Sequence, residues 1–386
     1  MKIESATCFA CKIKRQSFNK ETLMKFKHYF CILVLPLIIA CKGQDQKDIS
    51  SSQIPAIPGE DVKDFTNEFT IESSIRALAV DNDSTCWFAG SKNTFGVSKD
   101  YGKSWKTSTI VYDSLELEFR AIAMTNEAIF VLSVATPALL FKINKTSLDY
   151  ELVYKEEGDK VFYDSIDFWD DNHGIAIGDP TGSCMSIIST SDGGNSWTKL
   201  DCENLPSAAE GEAAFAASNS NISLADNKVF VVTGGKEANV LIGEDYGTKW
   251  TKVATPINQG GQMTGIFTSH FKDAETGIIA GGNWEEKESK NKAMAITQDG
   301  GLTWQLIEDN PGYISCVQYR PYSEELIACS TNGIYYSETS GQSWKKLSKD
   351  GYYAFRFADE GHVLYFSRGD GIMSTTLNTL ISKAAM

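Results

Sequence analysis

The residues that first suggest chemistry are four aspartates in matching surroundings. They stand in Ser98-Lys-Asp100-Tyr-Gly102-Lys-Ser-Trp105, Thr190-Ser-Asp192-Gly-Gly194-Asn-Ser-Trp197, Gly243-Glu-Asp245-Tyr-Gly247-Thr-Lys-Trp250 and Thr297-Gln-Asp299-Gly-Gly301-Leu-Thr-Trp304. A fifth copy, Ser337-Glu-Thr339-Ser-Gly341-Gln-Ser-Trp344, carries Thr where the others carry Asp. So regular a carboxylate invites a catalytic reading, but its neighbours argue for a turn. Asp and Ser/Thr oxygens accept hydrogen bonds from the backbone amides of a hairpin turn. Gly supplies the positive φ, and Trp buries a large apolar surface between neighbouring sheets. Asp100, Asp192, Asp245 and Asp299 are therefore expected to staple turns on a face away from any active site. Trp105, Trp197, Trp250, Trp304 and Trp344 should pack beneath them.

A second set emerges when strand-like runs are aligned on their alternating apolar residues. Arg76 precedes Ala-Leu-Ala-Val, Arg120 precedes Ala-Ile-Ala-Met, and Asp164 precedes Ser-Ile-Asp-Phe. Glu212 falls near the equivalent point of the next group, and Thr264, Ser315 and Tyr353 in the remaining ones. Two arginines beside two acids can hold a carboxylate ligand or a chain terminus through bidentate bonds. The plainer reading is that these charges pair with one another and stiffen the mouth of a channel.

Other chemistries lack their motifs. No G-x-G-x-x-G opens a helix, and neither H-E-x-x-H nor the G-x-S-x-G nucleophile elbow occurs. After residue 41 there is no C-x-x-C, and His173, His270 and His362 are isolated from one another. No metal or cofactor is expected.

These side chains need a scaffold, and its period is visible. Successive Trp residues of the repeat are 92, 53, 54 and 40 residues apart, so the first gap should hide a unit without the motif. It contains four strand-like runs, 119–124, 128–133, 138–143 and 150–154. The chain then divides into seven strand groups at roughly 73–113, 117–155, 161–202, 210–257, 262–309, 312–348 and 351–378. The last has at most three strands of its own, and the run 65–71 can supply the fourth. Such closure leaves few open sheet edges. The expectation is an all-β, seven-bladed β-propeller over residues 65–386, with six or eight blades as alternatives.

The turn pattern, together with Gly174-Ile-Ala-Ile-Gly178-Asp179-Pro180 and Gly211-Glu212-Ala-Ala-Phe215-Ala-Ala-Ser218, resembles the BNR or Asp-box propellers related to the photosystem II stability/assembly factor and to sialidase-like folds. The resemblance implies a propeller and a habit of binding other proteins. It also suggests a sialidase outline of arginines for a carboxylate, an acid and a Tyr-Glu pair. Arg76 is not followed by the Ile-Pro of that outline, and a third arginine is not assignable among Arg320, Arg356 and Arg368.

Two cysteine pairs sit symmetrically about expected turns, Cys184 with Cys202 and Cys316 with Cys329. Facing positions of an antiparallel hairpin lie within disulfide reach, and both pairs are candidates. The alternative is that they are core thiols, as Cys86 is expected to be.

The first 40 residues read as an address. Tyr29–Ala40 is a twelve-residue apolar run behind Lys25 and Lys27, too short for a bilayer span but right for a signal peptide. It ends in Ile38-Ile39-Ala40-Cys41, similar to a lipobox in which Cys41 is acylated, although Ile39 is bulkier than usual. Met24 fits as the true start, which leaves Cys8 and Cys11 without meaning. Residues 41–64, rich in Gln, Lys, Asp, Ser and Pro, read as a lipidated N-terminus and flexible tether. The whole chain carries −14, and residues 1–40 hold seven cations and two acids, which leaves −19 beyond them. Such a body is a poor ligand for nucleic acid, and only acyl chains would hold it at a membrane.

These readings point to a monomeric lipoprotein of a bacterial cell envelope, periplasmic or surface-facing, that binds a protein or carbohydrate partner without catalysis. A glycoside hydrolase or lyase acting on acidic sugars is the second reading. An oxidoreductase is the third, suggested only by the names that similar sequences carry.

Overall fold

The computed structural model describes residues 62–385. Cys41, Met24, the leader and most of the tether lie outside them. Seven antiparallel sheets follow one another along the chain. Their first strands are Ile75–Asn82, Phe119–Met124, Tyr163–Phe168, Ile222–Ala225, Thr264–Phe271, Cys316–Tyr319 and Ala354–Phe357. Six of the seven sheets have four strands and that of blade five has six, and the architecture is the expected seven-bladed β-propeller. One short helix, Leu377–Ala384, follows the last blade; the Thr376 side chain caps it by accepting from the Thr379 amide.

The apolar residues explain why the blades form a ring. Seven buried clusters fill the seven seams between neighbouring blades. In the seam between blades one and two, Trp87 and Phe95 meet Ile122 and Phe141. In the closing seam, Leu78 and Phe88 of blade one meet Val363 and Tyr365 of blade seven. A blade buried on both faces needs a partner on each side, which only a closed ring supplies. Closure is made by Thr66–Thr70, which pairs with Gly371–Thr376 as the outermost strand of blade seven.

Blade four departs from the expected span. Its first strand is Ile222–Ala225, not a strand beginning near Glu212. Glu212–Ala213 forms instead a two-residue ladder with Gly234–Gly235, which extends the sheet of blade five. The intervening residues 214–221 are free to leave the sheet and enter the channel.

The repeated turns are staples of one design. In blade one, Ser98 Oγ accepts from the Gly102 amide at 2.9 Å and Asp100 Oδ1 from the Ser104 amide at 2.9 Å. The Ser104 hydroxyl donates to the other Asp100 oxygen at 2.6 Å. Thr190, Asp192, Gly194 and Ser196 repeat the pattern, as do Thr297, Asp299, Gly301 and Thr303. These donors hold the Asp192 carboxyl down at about 2, the Ser196 hydroxyl and amide contributing most. The degenerate copies show what each position does. Thr339 Oγ1 still accepts from the Ser343 amide. Asp245, which has Gly243 where a hydroxyl belongs, turns to Lys249 and Asn227. The Trp residues of four copies donate Nε1–H to the turn glycine's carbonyl, at Gly102, Gly247, Gly301 and Gly341.

Each turn bonds to the hairpin joining the first two strands of its own blade, through Tyr101 to Ser84, Gly193 to Asn172, Tyr246 to Asn227 and Gly300 to Glu275. The staples therefore lie where the inner strands end, opposite the end where Arg76 and Arg120 begin theirs. They also touch the preceding blade. At Gly194, whose φ is +72°, an added Cβ would sit 2.3 Å from the Phe130 ring of blade two.

Cys184 and Cys202 form a disulfide with Cα atoms 5.4 Å apart. It lies just beyond the Ser186–Thr190 and Thr198–Lys199 ladder, where Cys202–Asn204 makes a 3-10 turn. The other expected bond is corrected: Cys316 and Cys329 face each other in register but are free, buried thiols. Register brings the two side chains together, and the thiols face each other as a hydrogen-bonded pair. The Cys316 sulfur also lies 3.5 Å from both the Phe355 carbonyl and Arg356 Nη1. Cys86 is likewise buried, and burial pushes its thiol well up.

Candidate functional site

The channel mouth gathers all but one of the seven residues singled out by alignment, and four of them carry the candidate chemistry. Arg76, Arg120, Asp164 and Tyr353 come from the first, second, third and seventh blades, which adjoin around the ring. The Arg76 guanidinium lies 4.0 Å above the Tyr353 ring. Burial, then the nearby Arg120 charge, lowers its pKa, while Tyr353 and Tyr313 pull the other way. Its Nε finds no acceptor among the described residues. Arg120 is steadied by Glu118, which accepts from Nε at 2.8 Å and Nη2 at 2.7 Å.

Asp164 is fully buried, and neither carboxyl oxygen makes a hydrogen bond of ordinary geometry. Burial, then the charge of Asp179, drives its pKa well above the carboxylate range, against the pull of Arg120. Asp179 is itself raised to about 6 by burial, and accepts from the Ala214 amide at 2.9 Å. Burial thus disfavours the charged form of Asp164, and Arg120 is already paired with Glu118, so Arg76 is the cation at this mouth with a donor left over.

Glu212 is the exception and is corrected. It is 3% exposed and accepts from Lys252 and Thr233 at 2.7 Å, Ala209 at 2.8 Å and Asn239 at 2.9 Å. These bonds together hold its pKa below the usual value despite burial. It is a strut between blades, with no free oxygen directed at the mouth. Alignment misplaced it because the inner strand of blade four starts ten residues later, at Ile222.

An aromatic wall completes the mouth on the side of blades five to seven. Phe215 stacks on Phe267 at 3.9 Å, Phe267 meets Tyr313 at 4.9 Å, and Trp284 meets Tyr313 at 5.3 Å. Trp284 opens the charged insertion 283–292, which folds back on the rim: the Tyr313 amide donates to the Lys287 carbonyl, and Lys287 Nζ lies 3.8 Å over the Trp284 ring. The charge run in sequence hid this aromatic anchor.

The floor of the mouth is a plug that sequence reading missed. Residues 218–220 cross the channel and bond to five other blades. Asn219 Nδ2 donates to the Ile122 carbonyl at 2.7 Å, and its Oδ1 accepts from the Ile166 amide at 3.0 Å. Ser218 donates to the Ser315 carbonyl at 2.5 Å, Ser220 to Thr268 at 2.8 Å, and Arg356 reaches over to the Ser218 and Asn219 carbonyls at 3.0 and 2.7 Å. The signal was present in Gly211–Ser218, whose small residues suit a segment packed inside a ring, but nothing in the sequence alone says where it goes.

Among the described residues no group of three or more His, Cys, Asp or Glu is placed to hold a metal ion, and no helix is long and apolar enough to cross a membrane.

The class of protein is thus a plugged seven-bladed β-propeller with an arginine–aromatic mouth. Residues 185–333, from blade three into blade six, match the family described as Sortilin, neurotensin receptor 3 (Sortilin-Vps10). No curated protein matches the chain. Solved structures with the same fold include "YCF48 bound to D1 peptide", at 14% identity and TM-score 0.60, covering 83% of this chain and 99% of that one. YCF48 from Cyanidioschyzon merolae is similar at 14% identity and TM-score 0.60, over 81% and 99%. "Structure of U3-55K" follows at 12% identity and TM-score 0.58, over 81% and 98%. At such identities the likeness speaks for the fold alone.

Proposed function

We propose that this chain is a non-catalytic binding propeller of the BNR or Asp-box type. Acyl chains on Cys41 tether it to a bacterial cell envelope, and it captures a protein partner at the channel mouth through a carboxylate. The observation that carries this reading is Arg76, whose buried Nε has no acceptor among the described residues, with Arg120 beside it and an Asp164 carboxyl whose charged form burial disfavours. A carboxylate completes that arrangement, and the half-buried Phe215 and Trp284 offer apolar surface to the side chains around it. A fold-mate described as bound to a D1 peptide supports a peptide-like partner.

Hydrolysis is the weaker reading. It needs two carboxyls facing each other across an accessible cleft, about 5–10 Å apart. Here Asp164 is sealed and Glu212 is held by Lys252, Thr233 and Asn239. The oxidoreductase reading gains no support from any residue of the mouth.

The test is a peptide library presented with free and with amidated C-termini to the full-length protein. Free termini should bind more tightly, and Arg76→Ala should erase that preference, by ~10-fold or more for a desolvated charge pair. Equal binding of both forms would sink the carboxylate reading. Turnover of a sialoside that disappears in Arg76→Ala would replace it with a hydrolase.

A further inference from the structure

Below the plug the channel opens again into a separate cavity of about 360 Å³, lined by residues of all seven blades. Its floor presents hydrogen-bonding groups left unused by the fold. Ser269 is buried and its Oγ has no partner. His270 Nδ1 accepts from the Tyr319 amide, which fixes the neutral tautomer with the proton on Nε2, and that N–H makes no hydrogen bond among the described residues. Gln318 Oε1 accepts from the Phe357 amide at 3.2 Å, which leaves its amide N–H donors free. Asp167 accepts at Oδ1 from the Phe168 amide at 2.8 Å, and its second oxygen is open.

The charges on this floor cancel. Arg356 carries the positive charge and Asp167 the negative one, and the two lie close enough for the guanidinium to pull down a carboxyl that burial raises to about 6. Burial, then Arg356, keeps His270 neutral with a pKa of about 4. A purely anionic or cationic ligand would therefore meet one repulsive partner. Above the floor the wall turns apolar, with Val80, Met124, Phe168, Leu224 and Phe357 half-buried around the opening. A neutral molecule bearing several hydroxyls on an apolar ring face matches both layers. The volume lies at the small end of ligand sites, enough for one ring-sized unit.

We infer that this lower cavity is a binding site for a neutral monosaccharide unit, distinct from the arginine mouth and sealed from it by residues 218–220. Its hydroxyls bond to Asp167, Ser269, His270 and Gln318, and its ring face rests on Phe168 and Phe357. The site does not depend on the proposed carboxylate site at the other end.

The test is calorimetric titration of the full-length protein with glucose, galactose and N-acetylglucosamine, and with sialic acid and glucosamine as charged counterparts. At least one neutral sugar should bind saturably, with a dissociation constant of roughly 1 mM or tighter. Leu224→Trp, which narrows the opening, and Gln318→Leu, which removes donors from the floor, should each weaken it at least ~10-fold with the fold intact by circular dichroism. Arg76→Ala should leave it unchanged. Absence of saturable binding by every neutral sugar overturns the inference. So does binding that survives Leu224→Trp, that is lost in Arg76→Ala, or that is no stronger for neutral sugars than for the charged ones.

Discussion

The two ends of the channel are built by opposite rules. At the end where the inner strands finish, the same hydrogen-bonded turn recurs in blades one, three and five, with the same donors on the same carboxylate. At the mouth the contributions change around the ring: Arg76, Arg120, Asp164, Thr264, Ser315 and Tyr353 occupy comparable points at the starts of six inner strands. Repetition marks a local device for closing a hairpin, and departure from it marks where one blade does something its neighbours do not. The repeated aspartates are the residues a motif scan would choose as catalytic, and they are half of a hairpin staple.

The sharpest test of this contrast is the plug. Asn219→Ala removes bonds to Ile122 and Ile166 and leaves buried backbone groups unpaired, at a position whose φ of +54° suits Asn better than Ala. About 3–5 kcal/mol of stability should disappear, read as a shift of the chemical-denaturation midpoint. A loss under 1 kcal/mol would mean that the ring holds itself and the plug is a passenger. Next comes Gly194→Ala on the opposite face, with strain at φ +72° and a clash against Phe130. The expected loss is about 2–4 kcal/mol. If Gly194→Ala proved worse than Asn219→Ala, the order of importance of the two ends would be reversed.

Breaking the Cys184–Cys202 bond, which closes a loop of sequence separation 18, should destabilise by about 3 kcal/mol on the loop-entropy account. Denaturation of the Cys202→Ser variant with and without reductant measures it. A variant as stable as the oxidised parent would show that the ladder alone holds this edge of blade three.

The smallest effect is a pH dependence of opposite sign for the turn aspartates and the buried carboxyls. Asp192, lowered to about 2, takes up its proton later than in the unfolded chain as pH falls, so its contribution is complete above pH ~4 and lost toward pH 2. Asp179 and Asp167, raised to about 6, keep protons that the unfolded chain has already released. Their effect is to lower stability as pH climbs from ~4 through 6. Melting temperature against pH should rise below pH 4 and flatten or fall between 4 and 6. Asp179→Asn should reduce the fall, and an unchanged slope in that variant would place its cause elsewhere.

Much of this was legible from residue types because the relevant interactions are short-range. A Ser/Thr, an Asp and a Gly at fixed offsets bond within one turn, and alternating apolar residues define one strand at a time. The count of blades and the closing strand 66–70 follow from that periodicity. The turn staples and the position of Arg76 and Arg120 at strand starts were likewise open to inspection. Hairpin symmetry was enough to bring Cys184 to Cys202 and Cys316 to Cys329, but not to decide which of the two pairs is bonded. The destination of residues 214–221, the capture of Glu212 by Lys252 and the aromatic wall around Tyr313 were settled only in three dimensions. Each joins residues from different blades, up to 138 positions apart in the case of Arg356 and Ser218. No local pattern encodes such contacts; they exist once the ring has closed and its interior must be filled.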